Sequence, residues 1–343
     1  MAEETKIKKS FSADILSKEK KELYNFVVAR IKKLQDSRKN HYGINLEKIW
    51  EDADTEYTPH RLKTRSGRRA VVTDEDKGYR GALVELGSSD WQSDLSKPNP
   101  YIKINTALAI LVDQNPTGVF TPALKKFRAV TELIKQLYQR SWQIAKSLGQ
   151  LKLFIFNLAK YGWAVGRSYP LKIENKVKEL VEFNQDDPEN SKYEERTVVE
   201  YNDVFRENLD VWNTWIDDMA KPYDPRSIND WAWRKIYTME TAKREFGKYA
   251  FWDKFVQAGG NIAEKVDSNK KDKEFVSEDL IEIYFYENRI KDSYVVIANG
   301  VPVIMEPLPI SDPDGVKKLT VWQTLWTLRN ANSPYGIGLY EAI

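Results

Sequence analysis

The sequence predicts an α+β fold in which a helical first half packs on an antiparallel sheet. Three observations carry this. In the first half, apolar residues recur at helical spacing, at Leu23, Phe26, Val27, Ile31 and Leu34 and again from Leu124 to Leu148. In the second half, from Trp163 onward, β-branched and aromatic residues dominate short runs bounded by turn residues. Asn299-Gly300 lies between two such runs, YVVIA and VPVIM. Both central residues of a tight hairpin turn need positive φ, which Asn and Gly adopt most readily.

In chain order, residues 1–15 read as a loose basic arm and 17–36 as an amphipathic helix. A second short helix is expected over 45–52. The stretch 54–98 is rich in Gly, Ser, Asp, Arg and Lys and reads as extended or looped. Thr121 can cap a helix and Pro122 suits its first position. Leu124, Phe127, Val130, Ile134, Leu137, Ser141, Ile144 and Leu148 then trace one face, so one helix over 121–148 is predicted, ended by Gly149. Leu151–Lys160 is apolar on most sides and is expected to be a buried helix, broken at Tyr161-Gly162. Strands follow at 164–182 and 196–206, joined by the acidic loop Asn184–Glu195. A strand at 232–237 precedes a helix at 239–247 capped by Thr238. Residues 259–277 read as a polar linker. A strand over 280–286, the hairpin turning at 299–300 and a last strand over 319–328 complete the sheet. The chain divides into the arm 1–15, a segment 16–100 of helices and extended loop, and an α+β domain 101–343.

Composition narrows the classes. The 343 residues are 41% hydrophobic and 30% charged, which fits a folded globular chain rather than disorder. The net charge of +2 is nearly balanced, unlike that of a general nucleic-acid-coating protein. The chain has no cysteine, which excludes disulfides and thiolate metal sites. Its longest uninterrupted apolar run, Ala107 to Val112, is too short to span a bilayer, and the N-terminus lacks an apolar signal core. A protein of the cytoplasm, or of a particle assembled there, is expected, with no membrane partner.

Enzyme signatures are missing from the sequence. There is no phosphate-cradling GxxxxGK[ST] loop, HExxH pair or GxSxG elbow. His41 and His60 read as lone surface histidines. Asp210, Asp217 and Asp218 are the candidate carboxylates of a metal-dependent nuclease. Adjacent strand residues point to opposite faces, so turn formation before Met219-Ala-Lys-Pro222 is favoured for Asp217 and Asp218. No catalytic residue, metal or cofactor is therefore expected. The cluster Arg61, Lys63, Arg65, Arg68 and Arg69 can grip phosphates or dock on another subunit; no aromatic residues interleave with it as a single-strand platform would need. Trp212, Trp215, Trp231 and Trp233 read as core or as interface anchors.

Four segments resemble the portal proteins of tailed bacteriophages. The block Tyr201–Phe246 contains VWNTWIDDMA, then SINDWAWRKIYTMETAKREF. It is similar to the portal pattern of a tryptophan-bearing strand followed by a charged helix. Leu151–Pro170, ending in YGWAVGRSYP, resembles the portal helix that steps into a strand. Asn202–Asp210 resembles the element that follows it. Ser333–Ile343, SPYGIGLYEAI, resembles the motif that opens the portal stem helix, with Tyr335 and Gly336 at its centre. Order and spacing agree, over about 100–343.

The resemblance implies a portal-type wing domain, with stem, clip and crown absent from this chain and Glu341–Ile343 as the first turn of a stem helix. It implies a structural ring at one capsid vertex, built of twelve identical subunits, through which viral DNA is packaged and ejected and to which the tail attaches. Its partners would be the major capsid protein, a head–tail adaptor or neck protein, the terminase during packaging and double-stranded DNA in the tunnel. Its places would be the virion and, during assembly, the host cytoplasm. The alternatives are another phage neck or baseplate protein, or a metal-dependent nucleic-acid enzyme.

Overall fold

A computed structural model describes residues 11–57, 99–112, 121–122, 124–182, 192–256, 280–312 and 314–341. It is an α+β protein with antiparallel sheets. Two helices come first, α1 (Lys18–Lys39) and α2 (Leu46–Tyr57). Between them the chain reverses through Tyr42 at φ 50° and Gly43 at φ 81°. Helix α3 (Asn99–Val112) follows, where the sequence reading placed no element. The predicted arm ends docked rather than loose: Phe11 packs edge-on against Tyr24, Phe251 and Phe255. Residues 1–10, most of the loop 54–98 and the linker 259–277 lie outside the described residues.

The single helix expected over 121–148 is two helices. A short 3-10 turn at Lys125–Phe127 leads into α4 (Arg128–Ile144), and the chain breaks before α5 (Ser147–Tyr161). Lys146 makes the break in the left-handed region, at φ 50°, and Gly149 lies inside α5 instead of ending a helix. Thr121-Pro122 therefore caps nothing. Helix stability comes mostly from packing, and the first part of the predicted apolar stripe, Leu124 to Leu137, meets no core among the described residues. Helix α5 is also less buried than expected, with only Ala159, Lys160 and Tyr161 fully covered. It ends at Gly162, whose φ of 74° makes it a left-handed cap.

Two sheets organise the rest. The larger has the order β3-β4-β5-β6-β7, with every neighbour antiparallel: Thr214–Ile216, Asp230–Thr238, Leu280–Asn288, Ser293–Ala298 and Val301–Glu306. Asn299 (φ 49°) and Gly300 (φ 79°) close the β6–β7 hairpin, as their sequence predicts. Thr238 caps helix α6 (Met239–Phe246) through its hydroxyl, also as predicted. A four-residue helix α7 (Trp252–Phe255) follows it. The second sheet pairs β1 (Trp163–Glu182) with β2 (Lys192–Asn208) along a long ribbon. Its other edge strand comes later in the chain. Two-residue strands β8 (Ile310–Ser311) and β9 (Lys317–Lys318) pair first, and β10 (Val321–Leu325) then joins β1.

The strand expected over 319–328 thus splits. Strand β11 (Thr327–Leu328) leaves β10 to pair with β12 (Gly336–Ile337). Of the stem-helix turn expected at Glu341–Ile343, only Glu341 falls among the described residues. Gly336 and Ile337 are strand, and Leu339–Glu341 form a turn; Ala342 and Ile343 lie outside the described residues.

Period-two alternation on the five-stranded sheet sorts its side chains into two cores. One face sends Trp215, Ala232, Tyr286, Val295 and Ile297 against Val27, Ile31 and Leu34 of α1. The other sends Trp231, Trp233, Ile281, Ile283, Phe285 and Val296 into a larger cluster with α2, α6, α7 and the first residues of β1. Strand β5 is covered on both faces, which explains its near-continuous apolar run.

Candidate functional site

The tryptophan block is structural in its placement. On β4, Trp231 and Trp233 stack with centroids 4.1 Å apart, and Trp233 stacks on Phe285 at 5.0 Å. Both are fully buried, as is Trp215 on the opposite face. A buried indole N–H needs a partner. Trp231 donates to Glu287 at 2.8 Å, and Glu287 also accepts from the backbone N–H and hydroxyl of Thr320 at 2.9 and 2.8 Å. Burial raises the Glu287 pKa, and the Thr320 and Trp231 donors oppose that rise.

Trp212 is half-buried at the rim and donates to Asp54 at 3.1 Å. It belongs to a second aromatic cluster centred on Trp50 of α2. Trp163 stacks on Trp50 at 5.9 Å, Trp212 meets it edge-on at 5.8 Å, and Tyr335 at 6.1 Å. Burial pushes the Tyr335 hydroxyl up to about 12. Arg38 of α1 reaches in with its guanidinium between Trp50 and Trp215, 5.3 Å from each ring. It donates to the carbonyls of Val211, Trp212 and Thr214 and to Glu47. One buried cation thus fixes both first helices to the tryptophan segment.

Gly336 belongs to a backbone crossing. A Cβ there would lie 2.3 Å from the Gly162 carbonyl oxygen and 2.7 Å from that of Thr327. A Cβ on Gly338 would lie 2.5 Å from the Lys160 carbonyl oxygen. The segment 336–338 therefore crosses the end of α5 at a distance only glycine allows. Arg329 holds it by donating to the Gly336 carbonyl and to Glu341.

His41 is not the surface histidine the sequence suggests. It is buried, shares a 2.8 Å hydrogen bond with the Ser333 hydroxyl and meets the Tyr335 ring edge-on. Burial first, and the Arg329 charge second, lower its pKa. His60 lies outside the described residues.

Two of the three candidate carboxylates, Asp210 and Asp217, are separately engaged, and Asp218 is half-buried beside them. Asp210 caps a 3-10 turn at Val211–Asn213 and bonds Asn213. Asp217 is buried, accepts from Arg30 at 3.1 Å and from Asn229 at 3.1 Å, and begins the turn the sequence predicts. Arg30 also grips Asp230 through two nitrogens, at 2.6 and 2.9 Å. Among the described residues no group of three or more His, Asp or Glu side chains is placed to hold a metal ion. No described helix is long and apolar enough to cross a membrane. A cleft of about 430 Å³ at the α4–α5 break is walled by Trp142, Leu151, Phe154 and Trp322, with Arg206 as the one cation among its described lining residues. It brings no nucleophile and base together.

Arg61, Lys63, Arg65, Arg68 and Arg69 lie outside the described residues. The Arg38, Arg30 and His41 bonds carried no signal in the sequence. All of those partners but Glu47, nine residues from Arg38, are remote along the chain. No protein-family model and no curated protein sequence matches the chain.

Proposed function

We propose that the chain is the N-terminal and wing portion of a tailed-bacteriophage portal protein, the head–tail connector. In this reading it is a structural subunit of a ring at one capsid vertex, and DNA enters and leaves through that ring. The carrying observation is that three of the resembling segments meet at one place. Trp163 from YGWAVG, Trp212 from WNTW and Tyr335 from PYGIG all pack on Trp50. A shared packing role accounts for the order and spacing of motifs that hold no catalytic group. The binding of Asp217 by Arg30 supports the structural reading over the nuclease one. The capsid protein, the neck adaptor, the terminase and double-stranded DNA are the partners it implies.

Negative-stain imaging of the whole protein, isolated from the cells or particles that make it, tests this. Closed rings with a central opening are expected. Protein that stays monomeric at high concentration and forms no ring within a particle would overturn the reading.

A further inference from the structure

Helix α4 and the 3-10 turn before it carry an apolar stripe that the described chain leaves bare. Leu124, Phe127, Val130, Leu133, Ile134 and Leu137 are 45–56% exposed. The helix turns Thr131, Lys135, Tyr138 and Trp142 toward the body, so the stripe runs along its flank. A surface helix ordinarily turns such a stripe inward, and a bare one marks a contact face.

The same segment is strongly cationic. Residues 124–146 carry Lys125, Lys126, Arg128, Lys135, Arg140 and Lys146 against Glu132 alone, a net of +5. None of the six cations has an ion-pair partner among the described residues. Two of them border the stripe. The Lys126 ammonium stands 5.1 Å from the Phe127 ring centre. Arg140 follows Leu133 by two helical turns and lies on its side of the helix.

Charge then selects the occupant. A second copy of the same face would set +5 against +5. The exposed ribbon stretch Lys172–Glu179 with Glu194–Glu200 carries four cations against five acids, so it offers little complement. What fits is a partner that is both anionic and apolar at shallow depth. An anionic lipid surface is built that way, with phosphates outside and acyl chains just beneath. A helix with Phe and Leu on one face, an excess of Lys and Arg, and low net hydrophobicity lies flat in that boundary. Bare apolar side chains also continue onto neighbouring elements. Helix α3 exposes Tyr101, Ile102, Ile110 and Leu111, α5 exposes Leu153, and both α3 and α4 pack on α5. That breadth favours an extended surface over a single docked peptide.

We propose that α4 lies in the headgroup layer of an anionic membrane. Phe127, Val130, Leu133, Ile134 and Leu137 enter the acyl boundary, and the unpaired cations meet lipid phosphates. The helix has 17 residues, so the contact is about 26 Å long. It is peripheral. The lack of a spanning run, on which the expectation of no membrane partner rests, does not bear on a helix that lies flat. The contact goes beyond the portal reading and does not depend on it.

Cosedimentation of the whole protein with lipid vesicles tests this, using phosphatidylcholine alone or with about a third phosphatidylglycerol. Binding to the anionic vesicles, weakened by salt, is expected, with little to the neutral ones. Lys125→Glu with Arg128→Glu should weaken that binding about tenfold or more, and so should Leu133→Ser with Leu137→Ser. All four side chains are exposed, so circular dichroism should show the fold retained. The chain has no cysteine, so Ile134→Cys carrying a nitrobenzoxadiazole dye reports on the stripe alone. Its emission should brighten and shift to the blue on anionic vesicles. The same dye at Thr197→Cys on the exposed ribbon should not respond. No binding to anionic vesicles would overturn the proposal and leave the stripe to an acidic protein partner. Equal binding to neutral vesicles, full binding by the charge-reversed variant, or a silent dye at position 134 would overturn it as well. Rings without vesicle affinity would remove this contact and leave the portal reading. Vesicle binding by a strictly monomeric protein would do the reverse.

Discussion

Arg38 shows how much one side chain can organise. It is 3% exposed, yet its charge is matched by Glu47, three carbonyls and two indole faces. Removing it leaves those acceptors buried and unpaired, so Arg38→Ala should lower the unfolding free energy by about 3–5 kcal/mol. Arg38→Lys keeps the charge but loses the fork that reaches four acceptors, so most of that loss should remain. Urea titration of the three proteins measures both. His41 sets a pH dependence. Its folded pKa lies below the unfolded value of about 6.5, so its contribution is intact above that value. It is lost as pH falls through the depressed pKa, because the unfolded chain then binds the proton more readily. Arg329 opposes the protonated form and Asp218 favours it, burial being the larger cause. Wild-type stability should fall between pH 7.5 and 5. His41→Gln should be weaker at pH 7.5 and flatter across the range, as the two denaturation midpoints would show.

Among elements, those written in local chemistry were legible from the sequence. Asn299-Gly300, the Thr238 cap and the Gly162 stop each depend on residues next to the turn or helix end they make. The break between α4 and α5 was not legible. Periodicity reports that a helix has an apolar face, not whether that face meets a core, and the stripe from Leu124 to Leu137 meets none. The short strand at Gly336-Ile337 was not legible for a related reason. Gly336-Ile-Gly338 is shaped by a backbone crossing against Gly162, which no local pattern reveals. Gly336→Ala tests that crossing. Its methyl must displace backbone rather than a flexible side chain, so a loss of roughly 2–4 kcal/mol is expected by thermal or chemical unfolding. Gly300→Ala meets open space and carries only the strain of positive φ, so it should cost about 1 kcal/mol.

Across the whole molecule, the first two helices and the two sheets share their cores. Val27, Ile31 and Leu34 of α1 lie against β3–β6, while Leu46 and Trp50 of α2 belong with Trp163, Val211 and Tyr335. The sequence division at residue 100 therefore has no counterpart in the packing of these residues. Unfolding followed by far-UV circular dichroism and by tryptophan fluorescence should trace one coincident transition for α1, α2 and the sheets. Two separated transitions would restore the division.

The same packing sets an order in time during synthesis. The seat of α1 includes Tyr286, Val295 and Ile297, which the ribosome adds roughly 260 residues after Val27. At about 5–20 residues per second, the oily side of that helix waits some 13–50 s for its strand partners. A nascent chain in this state is a natural client for a chaperone, and slow translation late in the message would lengthen its exposure.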